Sequence, residues 1–211
     1  MPVILIIHWG RWETVSPFHV HLLVGFVDFL MNAISTKRLS LRPFLVDDAA
    51  RVVSLVGDFE VARQTATMPH PLTVEDARDW IASIGYEGGM MLGIEREGQL
   101  IGKVGYIDYE PDGSDKSSSV EISYWLGKNY WGHGYAFEAA SAIIPVIFDD
   151  YTINTIIAGH ATDNPGSERI IDKLGFQLIG ETMYYSLARD VDVPCLLYKL
   201  DRDEYLKRTK L

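Results

Sequence analysis

A chain of 211 residues, 47% apolar and 23% charged, is long enough for one full hydrophobic core and too apolar for a disordered segment. Its formal net charge of -10 argues against direct nucleic-acid binding, while an acidic surface tolerates a cationic acceptor such as an amine. A single cysteine, Cys195, excludes an internal disulfide and a cysteine metal cluster, and a cytoplasmic protein is expected.

Residues 1–35 stand apart. Val3–Ile7 is apolar but short, with no basic segment before it and no small-residue cleavage site after it, so it does not read as a signal peptide. His21–Met31 is interrupted by Asp28 and too short to span a bilayer. His19 and His21 lack further ligands, and no metal is expected. Met31 is the expected natural start, with an amphipathic segment packed on a partner or a membrane surface as the other reading.

Thr36–Phe44 then reads as a first strand, with Pro43 at its end. Asp47 or Asp48 opens a helix that closes near Gly57. Thr73 and Asp76 form a cap before the apolar positions Ala77, Trp80, Ile81 and Ile84. Met90–Glu95, Leu100–Tyr109 and Ser118–Leu126 are three consecutive strands, with hairpin signals at Glu97-Gly98 and Pro111–Ser114.

From Val120 the pattern changes twice. Val120, Ile122, Tyr124 and Leu126 alternate with Glu121, Ser123 and Trp125, a strand period. Gly127-Lys128-Asn129 breaks it, and Trp131-Gly132-His133-Gly134-Tyr135-Ala136 leads into a helix expected from about Gly134 to Phe148, kinked or ended early by Pro145. A strand, a glycine turn and a helix N-terminus suit a phosphate, because unpaired N–H groups and the helix dipole point at it. The turn lacks the Lys-Ser or Lys-Thr of a Walker loop, and Phe137 stands where a dinucleotide fingerprint needs a small residue. Asn154–His160 is a buried strand that should run parallel to Val120–Leu126. Asp163 or Asn164 caps the next helix, with Pro165 in its first turn. Gly175–Leu187 and Val193–Leu200 are the last two strands, turned at Arg189–Asp192.

The stretch W-L-G-K-N-Y-W-G-H-G-Y-A-F-E-A resembles the pyrophosphate loop of the GNAT family of N-acetyltransferases, in its RimJ/RimL-like branch, which acetylates ribosomal-protein N-termini. Asn164–Arg169 with Lys173–Phe176 resembles that family's second signature, and Thr36–Pro43 its opening strand. The resemblance implies an N-acetyltransferase domain over residues 36–205. Its fold would be α/β (α+β): a mixed, mostly antiparallel sheet of six to seven strands with a splayed parallel pair, flanked by about four helices.

It also implies acetyl-CoA as the cofactor and an amine acceptor, with direct transfer through a ternary complex. Trp131, Gly132, His133, Gly134, Tyr135 and Ala136 would hold the pyrophosphate. Ile122, Tyr124, Trp125 and Leu126 would offer mainly backbone to the pantetheine arm, and an N–H near Tyr124 or Trp125 would face the oxyanion. Asn164 would hydrogen-bond the arm. Many members place a tyrosine acid seven residues after this Asn; here that position is Ile171, which makes Ser167 the expected proton donor, with a structural hydroxyl near the helix start as the alternative. Glu121 is the expected base, with a solvent-facing carboxylate as the alternative. His70, Tyr184, Tyr185, Asp190 and Asp192 could line the acceptor site. A protein N-terminus is the expected acceptor. A polyamine or aminoglycoside acceptor and a non-catalytic acyl-CoA-binding module are the alternatives, and a homodimer is left open.

Overall fold

The computed structural model describes residues 33–84, 89–109 and 118–209. Its first turn is made locally. Thr36 N–H donates to the Leu39 carbonyl at 2.9 Å, and the Thr36 hydroxyl accepts from Leu39 N–H at 3.0 Å. These bonds reverse the chain, so the single strand expected over Thr36–Phe44 is instead a hairpin of β1 (Ile34–Ser35) and β2 (Ser40–Arg42).

A short 3-10 turn, Val46–Asp48, leads into α1 (Ala49–Val56), which stops at Gly57. A one-turn helix follows, α2 (Phe59–Ala62), capped by Asp58 and too short to announce itself by periodicity. Helix α3 (Val74–Ser83) starts with the expected reciprocal cap: Thr73 Oγ1 accepts from Asp76 N–H at 3.1 Å, and Asp76 Oδ2 accepts from Thr73 N–H at 2.9 Å.

Strands β3 (Met90–Arg96) and β4 (Gln99–Asp108) join through Glu97 and Gly98, both at positive φ (53° and 77°), the geometry of a two-residue hairpin turn. Strand β5 (Ser119–Leu126) pairs antiparallel with β4. The hairpin expected at Pro111–Ser114 and the readings of residues 1–32 lie outside the described residues.

Helix α4 (Tyr135–Asp149) runs on past Pro145, where an early end was one expectation. The ring sits at an exposed position, where water can satisfy the carbonyl that loses its donor. Strand β6 (Thr155–Ala161) lies parallel to β5 as expected, and α5 (Pro165–Leu174) follows it. Strands β7 (Gln177–Ser186) and β8 (Val191–Asp201) turn earlier than expected, because Asp190 N–H closes onto the Ser186 carbonyl at 2.8 Å and Asp190 takes a φ of 55°. A final helix, α6 (Arg202–Thr209), was not anticipated.

The strands form one eight-stranded sheet in the order β1-β2-β3-β4-β5-β6-β8-β7. It is mixed and mostly antiparallel, with β5 and β6 as its parallel pair. Helix α4 lies on β4 and β5, where the even-numbered Val104 and Ile122 are buried. The odd-numbered Trp125 belongs instead to an apolar cluster with α1, α2 and α3. Alternation along β5 therefore sends consecutive side chains into two different layers. No helix among the described residues is long and apolar enough to cross a membrane.

Candidate active site

Gly134 caps α4 in the left-handed region (φ 77°), and no side chain caps the helix. The first-turn N–H groups of an α-helix have no intrahelical acceptor, so those of α4 are left for a ligand. A methyl on Gly132 would meet nothing within 4 Å, which leaves the approach to them open. The loop is held from behind. Arg38 Nη1 donates to the His133 carbonyl at 2.9 Å, its Nε to Glu138 Oε2 at 2.6 Å, and its guanidinium lies 4.6 Å from the centre of the Tyr135 ring. Thr36 Oγ1 also donates to Glu138, at 2.6 Å. Turning the His133 carbonyl toward Arg38 keeps an acceptor away from an incoming anion. Trp131 donates its indole N–H to the Leu126 carbonyl at 2.8 Å, which pins the loop to the end of β5.

The parallel ladder between β5 and β6 begins at Ser119↔Thr155 and ends at Ile122↔Ala158, although β5 continues to Leu126 and β6 to Ala161. Beyond the last pair the strands part, and the gap offers main-chain groups to an amide-bearing arm, as an added strand would meet them.

On the α4 side of this gap, Asn164 caps α5 by accepting from Ser167 N–H at 3.1 Å. The Ser167 hydroxyl lies 2.9 Å from the hydroxyl of Tyr124. Burial pushes the Tyr124 phenol up to about 12, against a smaller downward pull from Ser167, so it stays protonated at neutral pH. Tyr124 thus brings its side chain to Ser167, beyond the backbone role expected of it. Ile171 is 1% exposed and packed in the core.

On the opposite face, Glu121 stands between Ile107 of β4 and Ile157 of β6 in register. It is not a freely solvated carboxylate: burial pushes its carboxyl up, and the charge of Lys103 pulls it partly back. A methyl placed on Gly159, the first residue of β6 past the last ladder pair, would come within 3.8 Å of Glu121 Oε1. That is ordinary contact, which places the carboxylate next to Gly159; the tighter neighbours of such a methyl would be Cys195 Sγ at 3.1 Å and Leu197 at 3.3 Å. Gly159 gave one signal in the sequence, a glycine inside an apolar strand, which marks a close approach. Cys195 is buried, and burial followed by the Glu121 charge pushes its thiol up, so it stays protonated.

The residues expected to line an acceptor site divide. Arg189 holds Asp163 through two bonds of 2.8 and 3.0 Å, and Arg63 reaches the same carboxylate at 2.5 Å. Arg189 also donates to the Arg63 carbonyl at 2.8 Å. This clasp joins the segment after α2, the β7–β8 turn and the residue before Asn164. Tyr184 is half-buried and feels the charges of the clasp. Tyr185 and Asp190 are exposed and bonded to each other, and Asp192 is exposed. His70 packs against Phe59, ring centres 5.2 Å apart.

A family model described as "Acetyltransferase (GNAT) domain" matches residues 38–177. The uncharacterized N-acetyltransferase p20 of Bacillus licheniformis is 29% identical over 183 residues, covering 83% of this chain and 99% of that protein. Among solved structures, a ribosomal alpha-N-protein acetyltransferase, RimL, in complex with coenzyme A superposes with a TM-score of 0.67 at 17% identity, over 82% of this chain and 99% of that one. RimJ of Mycobacterium smegmatis does so with a TM-score of 0.67 at 19% identity, over 79% and 83%. At these identities the structural likeness concerns the fold.

Proposed function

The chain belongs to the acetyltransferase (GNAT) family and is an N-acetyltransferase that uses acetyl-CoA; from that premise we propose that its acceptor is the α-amine of a protein N-terminus. The observation that carries a catalytic reading is the division of labour about β5. The Glu121 carboxylate stands on one face, and the Ser167 hydroxyl, backed by Tyr124, on the other, both beside the gap where β5 and β6 part. The fold shared with RimL and RimJ supports the N-terminal acceptor.

The site's residues fit acetyl-CoA. The uncapped α4 N-terminus behind Gly132 and Gly134 would take the pyrophosphate, and the parted strands with Asn164 would take the pantetheine arm. Bound acetyl-CoA supplies the thioester. Glu121 would take a proton from the acceptor ammonium, because a protonated amine has no lone pair to attack with. A backbone N–H of β5 near Tyr124 or Trp125 would face the oxygen that gains charge. Ser167 would give a proton to the departing sulfur and draw one from Tyr124. The high pKa of Tyr124 makes it a reservoir rather than a rival anion.

The test is acetyl-CoA turnover, followed by free-thiol release, on N-terminal peptides, polyamines and aminoglycosides. Peptides should be acetylated fastest. Faster transfer to a polyamine or aminoglycoside would replace the N-terminal reading, and acetyl-CoA binding without turnover on any class would favour a non-catalytic holder. On the best acceptor, Ser167→Ala should lower kcat about 10- to 100-fold, and Tyr124→Phe by less. An undiminished rate in Ser167→Ala would leave this hydroxyl a helix-start residue only.

A further inference from the structure

The face of β5 that carries Glu121 holds a second charged group. Lys103 of β4 is 6% exposed, and its ammonium donates to Ser123 Oγ at 2.5 Å. An ammonium has three N–H donors. Among the described residues Lys103 forms no ion pair; the charge acting on it is that of Glu121, through space. Burial of a cation with unfilled donors is unfavourable unless something fills them. Burial lowers the Lys103 pKa to about 8, against an upward push from Glu121, so the group is still mostly charged at neutral pH.

Its position says what would fill those donors. Ser123 is the first residue of β5 beyond the last pair with β6, and Glu121 lies two residues back on the same face, about 7 Å along the strand. A carboxylate and a buried ammonium therefore share one face of the sheet where the ladder between β5 and β6 ends. That pairing matches a molecule with a cationic nitrogen and an oxygen acceptor on the second carbon from it. A second ammonium in that place would meet the Lys103 charge.

Resting on the acetyltransferase reading above, we propose that Lys103 and Ser123 bind the carbonyl or carboxylate oxygen one carbon beyond the carbon that bears the acceptor amine. The site thereby selects α-amino acyl compounds over polyamines and aminoglycosides. The oxygen has two sources, the first carbonyl of a peptide or the carboxylate of a free amino acid.

Three small acceptors separate these cases: alaninamide, alanine and isopropylamine, which has neither oxygen. The full chain is assayed as wild type, Lys103→Met and Lys103→Arg, with acetyl-CoA binding followed separately by thermal shift. Wild type should prefer alaninamide or alanine to isopropylamine at least about 10-fold in kcat/KM, since a site built to bond an oxygen rejects the analogue without it. Whichever of the two is faster identifies the source. In Lys103→Met that preference should shrink at least about 10-fold, and Lys103→Arg should restore part of it. Each ratio is taken on one protein and compared between variants, so amine basicity and any general loss of activity cancel.

A Lys103→Met protein that slows all three acceptors equally overturns the assignment and leaves Lys103 a partner of Glu121 alone. Wild type that binds acetyl-CoA yet treats the three amines alike overturns it too, while the acetyltransferase reading stands. Failure to bind acetyl-CoA would instead strike at the reading beneath it.

Discussion

Replacing Glu121 by Gln is expected to lower kcat about 100- to 10,000-fold, the range in which a positioned general base contributes. Gln keeps the shape and the hydrogen-bonding reach but cannot accept a proton from an ammonium. The pH profile gives a second reading. Burial holds the Glu121 carboxyl above its ordinary value, and the carboxyl works as a base only when ionised. The wild-type kcat/KM should therefore fall as the pH drops through a point above the usual carboxylate range, and that acid limb should vanish in the Gln variant. Measuring the profile with two acceptors of different basicity separates the limb from titration of the amine itself. A Gln variant with near-wild-type kcat and an unaltered acid limb would remove Glu121 from the chemistry.

Gly134→Val should weaken acetyl-CoA binding about 10- to 100-fold. Gly134 caps α4 at φ 77°, a region that β-branched residues avoid at a cost of about 1–3 kcal/mol. The strain is relieved only by turning the peptides that aim N–H groups at the ligand. An added Cβ would itself meet Arg38 Nη2 only at ordinary contact, 3.5 Å, so the expected effect comes from the backbone conformation. Gly98→Val is the control: Gly98 has the same φ of 77° with no atom within 4 Å of an added Cβ, and it sits in the β3–β4 turn rather than at a helix start. Both variants should lose stability, and Gly134→Val alone should lose acetyl-CoA affinity by titration calorimetry. Equal affinities in the two would mean that the phosphate sits elsewhere.

The uncapped, glycine-bearing start of α4 was legible in the sequence, because backbone geometry is written in glycine placement and helix starts. The βαβ order and the capping of α3 and α5 were legible for the same local reason. What stayed hidden depends on contacts across long separations. Tyr124 and Ser167 are 43 residues apart, and alternation assigned Tyr124 to a face without naming its neighbour. The Arg63–Asp163 contact spans 100 residues, and each member alone reads as an ordinary surface charge. Lys103 passed unnoticed, because a single lysine among V-G-Y and I-G looks like the solvated half of a strand; only the packed sheet buries it. The first strand misled because Thr36 and Leu39 close a turn through side-chain bonds that an alternating pattern does not record.

The early parting of β5 and β6 bears on how such a chain can change over time. Where a ligand is met by main-chain amides, every residue except proline offers the same donor and acceptor. If the cofactor is held there as proposed, Trp125 and Leu126 can be exchanged for other strand formers without loss of those bonds, provided the strands still diverge, while Ser123 and Tyr124 answer also to their side-chain contacts. Selection is left free to act on the outward-facing side chains, where acceptors are told apart. In such an arrangement the handle stays fixed while the tool it carries is exchanged.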